Sequence, residues 1–399
     1  MITRIKIDNF KSLVDFDLPP LGHKLTGFTC LIGLNGAGKS TLLQAFDFIA
    51  QVATGGIAAW LERREWKKNE LVSQIGTRRS LISFTVALIS ETGVPIEWHA
   101  RYNSSLMKCT WELITANGVP LLKVDDGYIA VAKAGSAAIE SSGEKISFEY
   151  QGSVISSLKL TDTHTIICEV KAALQGLRSL ELLAPQLMRR KARTAQDIGP
   201  GGEKLAPFLD QLPAVSKTSL LEMLQEFYPQ LLSWHIKGQQ YGWKNLRIQE
   251  TFSGSSPVDA GHINDGFLRV IAILSQAFTN HGVILLDEIE NGINPALVEK
   301  LMDFLVGLGR NGRQVIVTTH SPVILNFLED QVARESVVLL YKTTDGRTRS
   351  VRYFDLPETG YKLRALGPGE VFVDTDLTQL VSRLATQAVP TSTSTGNGK

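Results

Sequence analysis

Apolar and charged residues alternate from the start of the chain, with Ile5 and Ile7 separated by charges, so the opening residues read as a strand. A short apolar run, Phe28 to Leu34, carries a glycine at its end. Residues 41–53 then place apolar side chains at helical spacing, which predicts strand, Gly-rich loop and helix over the first fifty positions. Residues 80–170 change character. Leu81–Ser90, Ile96–Tyr102 and Ile146–Tyr150 are short and β-rich, with turn signals at Asn117-Gly118 and Asp126-Gly127, which predicts an antiparallel meander. Residues 170–235 read as helical around a Gly199–Gly202 break, and 232–253 read as strands. Helix 264–279, strand 282–286, helix 295–309, strand 313–318, helix 321–329 and strand 336–342 follow. Such alternation marks a parallel sheet with crossover helices. The pattern predicts an α/β core split between residues 1–60 and 254–385, with β-rich and helical lobes inserted over 61–253. The Ser/Thr/Gly-rich end, 386–399, reads as a disordered tail.

Composition narrows the class. With 399 residues, 43% of them hydrophobic and 20% charged, the chain has ample material for a globular core. The 41 Lys and Arg against 40 Asp and Glu give a net charge of +1, which excludes coating of nucleic acid by bulk charge. Three scattered cysteines, Cys30, Cys109 and Cys168, support neither a disulfide framework nor a thiolate zinc site and fit a reducing cytoplasm. No signal peptide, apolar membrane span, internal repeat or long heptad run is visible, so no membrane partner is expected.

Gly33-Leu34-Asn35-Gly36-Ala37-Gly38-Lys39-Ser40 matches G-x-x-x-x-G-K-[ST] and sits between a strand and a helix, as phosphate binding requires. Glycines let backbone N–H groups turn toward phosphate oxygens, and the helix N-terminus adds a favourable dipole. The expected ATP-binding set is Gly33, Asn35, Gly36, Ala37, Gly38, Lys39, Ser40 and Thr41, with Lys39 on the β- and γ-phosphates and the Ser40 hydroxyl on Mg²⁺. A second apolar strand ends in Asp287-Glu288, which assigns Asp287 to the metal and Glu288 to the attacking water as general base. A third strand ends at His320, an imidazole able to sense the γ-phosphate.

With these motifs the chain resembles the ABC-type ATPase heads of the SMC, Rad50 and RecF group. It looks closest to the bacterial AAA15/AAA21-type ATPases, relatives of the ATPase part of the overcoming-lysogenization-defect (OLD) nucleases. The resemblance rests on Ile5–Ser12, the phosphate loop, Ile263–Arg269, Leu286–Pro295 and Thr318–Pro322. It implies an ABC-ATPase head with a mixed, mainly parallel sheet. Asn264-Asp265-Gly266 then takes the signature position, so that Asn264 and Gly266 complete the ATP site of a second copy. Glu290–Asn294 becomes the dimer-contact loop and His320 the switch histidine. Asn264 departs from the usual serine, and Ile293-Asn294-Pro295 from the usual Leu-His-Pro. Gln186, chosen over Gln196, is the expected metal-side glutamine.

The function so implied is an ATPase that closes as a homodimer or higher homo-oligomer around ATP. It would act as a sensor in bacterial anti-phage defence with a separately encoded effector, such as a nuclease, because the stretch after residue 342 is too short for a fused one. The alternatives are a RecF-like repair ATPase, a transporter ATPase subunit, which the inserted β lobe disfavours, and a nucleotide-dependent scaffold with little turnover. The basic run Arg189–Arg193 suits DNA or RNA phosphates, and equally a solvated loop near the nucleotide. Arg63–Lys68 reads as an exposed helix face, and the histidines show no zinc-ligand spacing.

Overall fold

The computed structural model describes residues 1–387 apart from 77–78, 133–138, 140–142, 159–164, 182, 239 and 253–255. Most of the tail therefore lies outside the described residues, and Thr386 and Gln387 end a helix, Leu377–Gln387.

Seventeen strands, numbered in chain order, build three sheets among the described residues. The central sheet runs β10 (Leu177–Ser179), β14 (Val283–Leu286), β15 (Gln314–Thr318), β3 (Phe28–Ile32), β16 (Val337–Lys342), β17 (Thr348–Arg352). All neighbours are parallel except the β16–β17 hairpin. The apolar runs reflect burial on both faces. Val315 and Val317 join one hydrophobic cluster and Ile316 the other; Ile284 and Leu286 likewise part from Val283 and Leu285.

One face is covered by α1 (Lys39–Thr54), followed by α2 (Ile57–Arg63). Helix α1 lies between two sheets and is buried on most sides: Phe48 meets Phe10, Trp60, Phe84 and Tyr102. The second sheet is β1 (Ile2–Asp8), β2 (Phe16–Leu18), β4 (Leu81–Ile89), β5 (Pro95–Asn103), β6 (Lys108–Ala116), β7 (Val119–Asp125), β8 (Tyr128–Val131) and β9 (Glu144–Lys145), in the order β2-β1-β4-β5-β6-β7-β8-β9. The meander is therefore an extension of β1, paired through Ile5↔Val86 and Ile7↔Phe84, and its strands stop at Lys145 instead of continuing over 146–150. The two sheets are tied by the buried Gln314 amide, which accepts from Ile2 N–H at 2.6 Å and donates to the Ile2 carbonyl at 2.7 Å.

The stretch expected to be helical contains α3 (Thr165–Gln175), α4 (Pro185–Met188), α5 (Leu205–Gln211) and α6 (Ala214–Phe227), but also the short β10. The third sheet is β11 (Leu231–Gly238), β12 (Lys244–Glu250) and β13 (Val258–Asp259). The helix expected over 264–279 is α7 (Asp265–Leu274) followed by a 3₁₀ turn, Ser275–Phe278. Arg313 donates to the carbonyls of Gln276, Ala277 and Thr279, and so satisfies acceptors that end the helix. Helix α8 (Pro295–Arg310) is capped by the Asn294 side chain, which accepts from Ala296 N–H at 3.0 Å. The expected helix at 321–329 shortens to Pro322–Asn326.

A buried acid lies in the second sheet. Glu112 on β6 is wholly buried and accepts from the Ser153 hydroxyl, Val154 N–H at 2.8 Å and Trp98 Nε1 at 3.1 Å. Burial pushes its carboxyl from 4.5 up to about 7 despite those donors. Between these values the folded chain keeps a proton that the unfolded chain has released, so stability falls as pH rises through the window. Glu112→Gln is expected to remove that fall, about 3 kcal/mol in urea unfolding compared across the window. An unchanged pH slope in the variant would remove Glu112 as its source.

Candidate nucleotide-binding site

Strands β14, β15 and β3 are adjacent and parallel, so their carboxyl ends share one edge, where open α/β sheets bind ligands. Gly33 leaves β3 at φ 150, and a Cβ there would lie 2.3 Å from the Leu340 carbonyl oxygen. Gly38 opens α1 at φ 108, with the Thr348 hydroxyl 2.4 Å from where its Cβ would be. Between them the loop closes through Ala37 N–H to the Leu34 carbonyl, 3.1 Å. Asn35 and Gly36 are exposed, whereas Ala37 is buried. Ser40 and Thr41 continue the first turn of α1.

Lys39 is 6% exposed, and its ammonium donates to the carbonyls of Gly33 at 2.8 Å and Leu34 at 3.3 Å. Burial pulls its pKa below the ordinary lysine value, while Asp287, Glu288 and Glu290 pull it back up. The ammonium therefore sits at the end of three strands with a field of carboxylates in front of it. Ser40 Oγ donates to Asp287 Oδ2 at 2.8 Å, joining residues 247 positions apart. The other Asp287 oxygen accepts from the Thr318 hydroxyl, which in turn accepts from Glu288 N–H at 2.8 Å. Glu288 leaves the strand at φ 45, so its exposed carboxylate departs from the direction of Asp287. His320 stands between the two ends of the site: Nδ1 is 3.4 Å from Lys39 Nζ, and Nε2 is 3.4 Å from Glu288 Oε1. With lysine donating to Nδ1, the ring proton is on Nε2, facing the carboxylate.

Two supports escaped the sequence reading. Thr318 orients Asp287 and Glu288 together. Glu290 accepts from the Thr319 hydroxyl at 3.0 Å and from His320 N–H at 2.9 Å, which fixes the backbone that carries the imidazole. The TTH run at the strand end was their signal: two hydroxyls stand just before the histidine.

Other expected residues are placed elsewhere. Gln186 is exposed on α4 and is not brought to Ser40 or Asp287 by any contact among the described residues. The segment after β10 instead reaches α1 through Glu181, whose carboxylate accepts from Gln44 at 2.7 Å, one helical turn beyond Ser40. This short segment follows an edge strand that helical periodicity hid. Asn264 caps α7, accepting from Phe267 N–H at 2.7 Å, and a Cβ on Gly266 would meet the Gly292 carbonyl oxygen at 2.8 Å. Gly266 therefore lies against the 290–294 loop of its own chain, and the Asn264 side-chain oxygen is engaged within α7.

The charged runs also differ from expectation. Arg63, Glu65, Lys67 and Lys68 are exposed as expected, but the Arg64 side chain is only 5% exposed, pairs with Asp47 at 2.7 Å and Glu181 at 2.9 Å, and lies over Trp60 and Trp66. Lys11 Nζ rests 3.3 Å over the Trp66 ring and donates to Gln44, and burial lowers its pKa to about 8. Arg189 donates to the Ile263 carbonyl at 2.7 Å and pairs with Asp265, so the first member of the basic run is engaged at the start of α7. Arg190 and Lys191 are exposed. Among the described residues no three His, Cys, Asp or Glu side chains cluster as metal ligands, and no helix is long and apolar enough to cross a membrane.

Residues 1–88 match the AAA_15 family model, described as an AAA ATPase domain. Residues 185–326 match the AAA_21 model, described as "AAA domain, putative AbiEii toxin, Type IV TA system". A stretch of 49 residues is 43% identical to an OLD nuclease of Thermus scotoductus, covering 12% of this chain and 8% of that relative's length. The fold is similar to an SMC head solved with the C-winged helix domain of ScpA (TM-score 0.55, 16% identity, 88% of this chain and 96% of that one). It is also similar to the SMC head with an extended coiled coil from Pyrococcus furiosus, bound to the C-terminal domain of ScpA (TM-score 0.53, 11% identity, 91% and 99%). Both ends of the core thus match AAA-domain family models, over residues 1–88 and 185–326, a short stretch is similar to an OLD nuclease, and the fold is that of the SMC heads.

Proposed function

We propose that this protein binds ATP with Mg²⁺ at the shared strand edge, hydrolyses it, and closes onto a second copy as a nucleotide-driven switch. Residues 1–60 and 254–385, with β10 added from the inserted stretch, supply the catalytic core in this reading, and the rest of 61–253 the lobes that report its state. The observation that carries it is the continuous set of contacts from Ser40 to Asp287 and from Lys39 through His320 to Glu288.

The donor set fits a magnesium nucleotide. A hydroxyl and a carboxylate oxygen already face each other at hydrogen-bond distance, and hard oxygen donors of this kind suit Mg²⁺. Ser40 and Asp287 would hold the ion, which supplies charge neutralisation on the phosphate oxygens. Backbone N–H groups of residues 33–41 cradle the phosphates, and Lys39 exchanges its loop carbonyls for β- and γ-oxygens. Glu288 accepts the proton of a water whose oxygen bonds to the γ-phosphorus as the bond to the ADP oxygen breaks. His320 has one ring proton, on Nε2, which orients Glu288 and turns to a γ-phosphate oxygen when ATP is bound. Asn264 and Gly266 of a second copy would complete each site, the Asn264 amide donating to phosphate. Loss of the γ-phosphate then releases the two heads.

The role in anti-phage defence, with a separately encoded effector, draws support from the toxin–antitoxin wording of the AAA_21 family and the stretch shared with an OLD nuclease. Magnesium removal is the simplest test of the chemistry. ATP turnover by the purified chain is expected with Mg²⁺ and absent with excess EDTA; equal rates would reject the assignment of Ser40 and Asp287.

A further inference from the structure

The sequence motif Ile5–Ser12 and the late strand β17 take no part in the chemistry above, yet they meet at the phosphate loop. Thr348, the first residue of β17, is wholly buried. Its N–H donates to the Ser12 carbonyl at 2.9 Å. Its hydroxyl donates to the Ala37 carbonyl at 3.1 Å and lies 2.9 Å from the Ser12 hydroxyl. A threonine hydroxyl has one proton. With that proton on Ala37, Ser12 must be the donor in the second bond, so a directed chain runs from Ser12 through Thr348 to the loop carbonyl.

The consequence lies in peptide geometry. The Ala37 C=O and the Gly38 N–H belong to one planar trans peptide and point in opposite directions. Anchoring that carbonyl on buried Thr348 therefore turns the Gly38 N–H to the other side of the peptide. Gly38, at φ 108, leaves the Ala37–Gly38 peptide little conformational restraint from its own residue. The same hydroxyl occupies the space that a Cβ on Gly38 would need. We infer that Thr348, braced by Ser12, is a positioning residue that presets the Gly38 N–H as a phosphate donor before nucleotide arrives. This rests on the ATP-binding reading of the loop. It gives a reason for a serine at the end of the N-terminal motif and for a strand that neither motif nor periodicity announced.

The test is equilibrium binding of a fluorescent ATP analogue with Mg²⁺, together with KM and kcat for ATP. Thr348→Val keeps the shape and removes the hydroxyl; about tenfold weaker binding is expected, with kcat at saturating ATP kept within about twofold. Thr348→Ser restores the hydroxyl and is expected to return binding to near the wild-type value. Should the valine variant fail to fold, Ser12→Ala, on the other element, is expected to weaken binding about threefold. Wild-type binding in folded Thr348→Val, or in Ser12→Ala, overturns the inference, as does a serine variant no better than valine. Lys39→Ala in the same assay separates the two ideas. If it loses binding while Thr348→Val does not, only the positioning role falls; if it also binds normally, the nucleotide site itself falls.

Discussion

Lys39→Ala is expected to weaken ATP binding by about 100-fold or more, measured by calorimetric titration with Mg²⁺ present. The ammonium is almost wholly buried, and it is the cation that stands between the loop carbonyls and the Asp287, Glu288 and Glu290 carboxylates. Truncation leaves those carboxylates facing an incoming triphosphate without it. Two charge-assisted hydrogen bonds to phosphate, each about 1.5–3 kcal/mol, are lost as well. The fold does not depend on the ammonium, because the loop is separately held by Thr348 on Ala37 and by the 3.1 Å bond from Ala37 to Leu34. A folded Lys39→Ala chain that binds ATP with wild-type affinity would refute the assignment of the loop.

Glu288→Gln is expected to separate binding from chemistry. The carboxylate is exposed, leaves its strand at φ 45 and touches only His320 among the site residues, at 3.4 Å, so an amide of the same size leaves the cradle intact. Affinity should stay within about threefold of wild type. Turnover should fall by about 10²–10⁴, the usual contribution of a positioned general base. Because the γ-phosphate then persists, the variant should accumulate a two-chain species with ATP in sedimentation velocity, whereas the wild type returns to single chains as ATP is consumed. A monomeric variant at saturating ATP would sink the closure step and leave the nucleotide site standing.

The parts of the site legible in the sequence are those whose signal is local. Phe28–Ile32, Val283–Leu286 and Gln314–Thr318 are apolar throughout because both faces of the central sheet are covered, and each runs directly into its polar residues. What stayed hidden depends on pairings far apart in the chain. Nothing near residues 81–145 announces that β4 hydrogen-bonds to β1, so the meander read as a separate lobe. Three residues of β10 carry too little periodicity to interrupt a helical reading, and with them went Glu181, the residue that does reach α1. Arg64 looked solvated because its two carboxylate partners, Asp47 and Glu181, are distant in sequence. Arg189 looked available for nucleic acid for the same reason: Asp265 lies 76 positions away. A glutamine such as Gln186 does not encode in its residue type which side of its segment meets the helix, and its side chain is exposed on α4.

The central claim is that two ends of the chain, joined by Ser40 and Asp287, make one hydrolytic site in which Glu288 handles the proton. Phosphate release from ATP, measured side by side for the wild type and Glu288→Gln at matched nucleotide occupancy, tests it most directly. Steady turnover by the wild type and a fall of about 100-fold or more in the variant is the expected result. Equal rates in the two proteins, or no release by nucleotide-saturated wild type, would contradict it.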